Sequence, residues 1–221
     1  MIEAESRTFN PSLELLTITG GLFLFTALYY TRIPRYQLLS VFVLIAVAFY
    51  FTYVVRRGPG MSWQDLKLTK DKLWRNVFIG IGLAAFGWLY FSIYNYWTRG
   101  QFLELGYGGS FAAILTIIAV SVAEELFFRG YLQNRLSYRY PIWARVLIAV
   151  VALAFYKNIV HMWEGLPLFL HLELFLLGIL HNILPSLWME WSGSLVGPLV
   201  MHVVWDLLVY APMGSIPYWV I

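Results

Sequence analysis

The chain has 221 residues, of which 60% are hydrophobic, 19% aromatic and 12% charged, with a net charge of +3 and no cysteine. A water-soluble domain is close to half apolar and a quarter charged, so this composition excludes an ordinary soluble globular protein and points to a multi-pass membrane protein. The lack of cysteine excludes disulfides, thiolate catalysis and a thiolate zinc site, and the modest positive charge reads as membrane orientation rather than nucleic-acid binding.

Met1 to Pro11 is polar and carries Glu3, Glu5 and Arg7. The apolar run behind it is long enough to span and has no A-x-A pattern after it, so it is expected to be a membrane helix and not a signal peptide. A spanning helix needs about 20 mostly apolar residues. On that criterion seven candidates appear, at 12–31, 37–55, 76–97, 110–136, 141–162, 168–190 and 194–212. The fold expected is all-α, an integral membrane bundle of about seven helices. The N-terminal part, 1–109, supplies three of them, and 110–221 supplies the rest within one membrane domain.

Between the second and third candidates lies "RRGPGMSWQDLKLTKDKLWRN". Gly58-Pro59-Gly60 breaks the chain, and the mixture of Leu66, Leu68, Leu73 and Trp74 with Lys67, Lys70, Lys72 and Arg75 predicts a short amphipathic segment on the membrane surface. A solvated loop is the plainer alternative. This loop also holds Arg56 and Arg57, and the connection after the fourth candidate holds Arg135, Arg139 and Arg145. The excess of Lys and Arg puts both on the cytoplasmic side, with the N-terminus inside. The second half of the fourth candidate is polar and is expected to project from the bilayer. Pro185 is a point where the sixth is expected to kink or break. The tail "GSIPYWVI" reads as interfacial.

The fourth candidate carries "SVAEELFFRGYLQNRL". Glu125 and Arg129 are i and i+4 with the acid first, the favourable order for an ion pair on one helix face. Glu124 points about 100° away from Glu125 on a regular helix and has no local partner. An intramembrane carboxylate of this kind is a functional hypothesis by default; a packing network is the competing explanation. In the seventh candidate His202 and Asp206 are again i and i+4, and so share a face. They suit a catalytic donor, a proton relay or a buried structural bond. His161 ends the fifth candidate, with Lys157 one turn earlier on the same face. His171, Glu173 and His181 do not make a recognisable metal set: there is no H-E-x-x-H and no pair of E-x-x-H motifs. No metal or cofactor is expected.

With these residues the chain resembles the CPBP family of intramembrane glutamic endopeptidases, the type II CAAX prenyl proteases and their prokaryotic bacteriocin-processing and immunity relatives. The family's E-E-x-x-x-R motif is matched by Glu124, Glu125 and Arg129, and its H-x-x-x-N/D motif, with a preceding G-S-L-x-x-P, by "SGSLVGPLVMHVVWD". The resemblance runs over about 110–212. The middle motif, F-x-x-x-H, departs: Phe155 lies six residues before His161, not four. Counted from the first motif, Tyr156 or Lys157 falls near the histidine position; counted back from Gly178, His161 does, and His161 is preferred.

The resemblance implies a helical catalytic core at 110–221 enclosing an intramembrane cavity. It implies Glu124 as general base activating water with His161, His202 and Asp206 stabilising the oxyanion, and Glu125 and Arg129 holding the first glutamate in place. The implied partners are the bilayer and a membrane-associated peptide or protein substrate, in a prokaryotic cell membrane. A non-catalytic immunity or scaffolding partner with the same fold is the alternative, and a transporter with a Glu124–His202 proton relay is a weaker one.

Overall fold

A computed structural model of the chain describes residues 11–30, 66–103, 111–137, 139–161 and 167–210, together with 33, 35, 36, 39, 42, 43, 46, 47 and 50. Among them every regular element is helical: α1 (Pro11–Tyr30), α2 (Leu73–Arg99), α3 (Phe111–Glu125), a π-helical segment (Leu126–Gln133), α4 (Asn134–Leu136), α5 (Ile142–His161), α6 (Leu168–Ser192) and α7 (Val196–Tyr210). The candidate at 37–55, the Gly58-Pro59-Gly60 breaker, the polar N-terminus and the tail at 214–221 fall wholly or mostly outside the described residues.

Among the described residues, three helices are long and apolar enough to cross a membrane: Leu73–Arg99, Ile142–Ile159 and Leu168–Ser192; Leu16–Leu28 and Val196–Val209 are shorter apolar stretches. The outward faces confirm the solvent these helices are built for. Trp74, Phe78, Phe86 and Trp97 of α2 are exposed, as are Phe169, Leu172, Leu176 and Trp191 of α6. Glu125, Arg129, Gln133, Ser186 and Asp206 are buried instead. Apolar side chains outside and ionisable ones inside is the arrangement a bilayer imposes.

The chain packs α2 along α7 through small residues. A Cβ on Gly80 would sit 2.5 Å from the Gly197 carbonyl oxygen, and one on Gly197 would sit 2.7 Å from the Trp188 ring. Without a solvent drive between helices, such close backbone approach is what binds them. α5 packs on α6 and on the π segment, and α3 packs on α7. α6 runs unbroken through Pro185 and ends at Gly193, whose φ of 68° allows its N–H to reach the Met189 carbonyl at 3.0 Å. Proline removes only the N–H it lacks, and neighbouring helices support the turn around it.

Two expectations change. The second half of the fourth segment is packed inside the bundle, with Phe128 through Gln133 all buried, because Arg129 and Gln133 find polar partners on α6. At the end of the basic loop, the part of it that is described, Leu66 is inserted into the cluster of Phe128, Tyr131, Leu132 and Leu153 rather than lying on the surface, and Lys67 and Lys72 take left-handed turn conformations before α2 begins.

Candidate functional site

The site forms where α3 gives way to the π segment. A π-helix widens the turn with i→i+5 bonding and concentrates at functional positions. Here it starts immediately after Glu125, so the two glutamates stand at the junction and the following six residues from Phe128 have no exposed side. Gly130 permits the close approach of α7: a Cβ there would lie 3.1 Å from Leu195. The Gly193-Ser194-Leu195 turn fixes α7 in turn. Ser194 Oγ accepts a hydrogen bond from the Val196 N–H at 3.2 Å, and the Leu195 N–H donates to the Lys67 carbonyl at 2.9 Å. The start of α7 is thereby locked, and His202 and Asp206 face α3.

Glu125 and Arg129 form a fully buried ion pair. Arg129 spends its whole fork: Nη1 on Glu125, Nε on Ser186 Oγ at 3.0 Å, and Nη2 on the Asn182 side chain. Asn182 is oriented by its own bond to the Gly178 carbonyl at 2.8 Å. A buried charge is tolerable only when paired and hydrogen-bonded in this way. Farther along, Gln133 reaches Glu190, which also takes Lys67 at 3.3 Å and Arg145.

His202 is the hub between the carboxylates. Its Nδ1–H donates to Glu125 Oε1 at 2.7 Å, while Nε2 lies 3.3 Å from Asp206 Oδ2 and 3.4 Å from Glu124 Oε2. The same Asp206 oxygen accepts a hydrogen bond from the Ser121 hydroxyl at 2.7 Å. Glu124 is met by Lys157 of α5, with Nζ 2.6 Å from Oε2.

Beside this group lies a cavity of about 350 Å³ between α2, α5, α6 and α7. Lys157, Asn182, His202 and Asp206 line its polar end, and Tyr94, Arg99 and Glu173 line another part. His181 sits in the wall against Phe91 and Trp205, at ring-centroid distances of 5.6 and 4.2 Å. His171 and Glu173 do not come together with His181: His171 bonds Asn158, and Glu173 accepts from the Tyr94 hydroxyl at 2.8 Å.

Five of the six residues singled out in the sequence therefore come together: Glu124, Glu125, Arg129, His202 and Asp206. The sixth, His161, is the last residue of α5, and its side chain lies outside the described residues. The sequence reading missed Ser121, Asn182 and Ser186. Each is a polar side chain in an apolar helix, four residues from another site or network member (Ser121 from Glu125, Asn182 from Ser186), and that spacing was the available signal.

Residues 106–208 match the family model described as type II CAAX prenyl endopeptidase Rce1-like. No curated protein and no solved structure gives a significant match to the chain.

Proposed function

Since residues 106–208 are a domain of the Rce1-like family of type II CAAX prenyl endopeptidases, we propose that this integral membrane protein is an intramembrane endopeptidase cutting a membrane-associated peptide or protein. The observation that carries the reading is the placement of His202 within 3.4 Å of Glu124 and 3.3 Å of Asp206, with His202 and Asp206 on the cavity wall. A donor on the cavity wall then stands in contact with a carboxylate able to act as base, an arrangement that suits water attack on a carbonyl.

In this mechanism Glu124 takes a proton from water as the oxygen attacks the scissile carbonyl. His202, held through Nδ1 by Glu125, turns its Nε2–H from Asp206 to the oxyanion that forms, so that Asp206 keeps this N–H aligned until the oxyanion takes it over. Collapse of the intermediate breaks the C–N bond, and the proton held by Glu124 passes to the leaving nitrogen. Arg129 holds Glu125, and through it His202 and the α3 junction. The motif resemblance places a helping group on α5. The shielded cavity excludes bulk water, so the fixed dipoles act at low dielectric. We place the catalytic core at 110–221, the helices of 1–109 in the same membrane domain, and the N-terminus on the cytoplasmic face of a prokaryotic cell membrane.

The test compares membrane peptides from cells making the wild type and Glu124→Gln, with both proteins quantified in the membrane fraction. A cleavage product present only with the wild type, at equal protein levels, is expected. Identical peptide profiles, together with equal turnover of a farnesylated C-a-a-X peptide by the two purified proteins, would remove the glutamate from the chemistry.

A further inference from the structure

We propose that Lys157 is the α5 positioning residue of this site, the cation that pairs with Glu124 and orients it beside His202, in the place the motif resemblance gives to His161. The inference rests on the peptidase reading and deepens it. Its ground is geometric. Lys157 Nζ lies 2.6 Å from Glu124 Oε2, and the same side chain lines the cavity beside His202 and Asp206.

The neighbours on α5 are committed elsewhere. Phe155 turns outward and packs on Phe23, with ring centroids 5.5 Å apart. Tyr156 packs on Phe128 at 5.3 Å. Asn158 is tied to His171, donating to its carbonyl at 2.8 Å. Among the described residues at this level of α5, Lys157 is the one that meets Glu124.

Charge balance gives the contact its purpose. Glu124, Glu125 and Asp206 all converge on the single ring of His202. Three carboxylates cannot stay charged together in a low-dielectric site unless each has its own counter-charge. Arg129 serves Glu125, and His202 with Ser121 serves Asp206. Lys157 completes the set for Glu124 and leaves His202 available to the oxyanion. An ammonium on a flexible stem can hold the carboxylate in the resting site and yield as the carboxylate takes up the water proton.

The experiment uses the purified full-length protein in liposomes with an internally quenched, farnesylated C-a-a-X peptide. Lys157→Met keeps the length of the stem and removes the charge. It is expected to lower kcat by about 10²-fold or more with little change in KM, while Lys157→Arg stays within about tenfold of the wild type. Propylammonium added to Lys157→Ala, which leaves the volume of the stem and its ammonium empty, is expected to restore turnover at least several-fold; tetramethylammonium, equally charged but without N–H donors, is not. A purely structural lysine shows no such discrimination. A Lys157→Met rate within about threefold of the wild type overturns the proposal, as does equal rescue by both amines. Loss in His161→Ala with none in Lys157→Met overturns it as well and returns the role to His161. The peptidase reading is scored separately by Glu124→Gln, so a fall of this inference alone leaves that variant inactive and the wild type active.

Discussion

Arg129 is the most heavily committed side chain in the site, so its removal gives the sharpest test of how the glutamates are held. The guanidinium is 1% exposed and donates to Glu125, to Ser186 Oγ at 3.0 Å and to the Asn182 side chain. Replacing it with methionine keeps most of the volume and strands a fully buried carboxylate whose remaining partner is His202 at 2.7 Å. Breaking one side of a buried pair costs about 3–5 kcal/mol. At roughly 2–4 °C per kcal/mol for a chain of this size, Arg129→Met should lower the melting temperature in detergent by about 6–20 °C. Lysine supplies the charge without the planar fork, so Arg129→Lys should recover part of the loss and not all of it. The decisive arm is the double variant Glu125→Gln/Arg129→Met. With no charge left to strand, it should be more stable than the sum of the two single losses by about 2 kcal/mol, the coupling expected for residues in direct contact. Strict additivity, or an Arg129→Met melting temperature within about 2 °C of the wild type, would show that the pair does not hold the α3 junction and that another contact does.

Asp206→Asn should keep turnover within about tenfold of the wild type, because its amide oxygen can still accept from Ser121 and His202 as Oδ2 does at 2.7 and 3.3 Å. Asp206→Ala should lose about 10²–10³-fold with unchanged expression, the range for losing an aligned oxyanion donor, and equal near-wild-type rates for both would make Asp206 a packing residue. Gly80→Ala forces a Cβ to 2.5 Å from the Gly197 carbonyl and should cost about 1–3 kcal/mol in thermal unfolding. Gly82→Ala meets nothing within 4 Å and should gain a few tenths up to about 1 kcal/mol from helix propensity; the reverse order would mean that α2 and α7 do not pack face to face.

Helix positions were legible because apolar run length is a one-dimensional property. The expected 76–97, 141–162 and 168–190 correspond to Leu73–Arg99, Ile142–His161 and Leu168–Ser192. The pairing of Glu125 with Arg129 and the shared face of His202 and Asp206 were also legible, since both are i,i+4 relations within one helix. What local periodicity does not encode is which helix answers across the bundle. Asn182 and Ser186 read as isolated polar residues beside a proline, and only the packing of α6 on the π segment makes them the other half of the Arg129 site. The π segment itself left no trace in the sequence: Glu125, Arg129 and Gln133 recur every four residues as a polar stripe of ordinary helical spacing, and only the packing shows that this stripe meets Ser186 of α6 rather than water.

The choice between Lys157 and His161 illustrates the same limit in one pair of residues. Counting along the chain gave two answers, one from Glu124 forward and one from Gly178 back, because a count fixes the register of one helix only relative to its own ends. The register that matters is between α3 and α5, and it is set by side-chain packing: Tyr156 against Phe128 at 5.3 Å, and Ala154 against Gly178, where a Cβ would come within 3.3 Å. With α5 held at those two points, Lys157 stands at the height of Glu124, and His161 lies four residues farther along the helix. The forward count from Glu124 therefore follows the geometry of the π junction more closely than the backward count from Gly178. If Lys157 holds the role proposed above, the extra turn in this chain falls after the cation rather than before it.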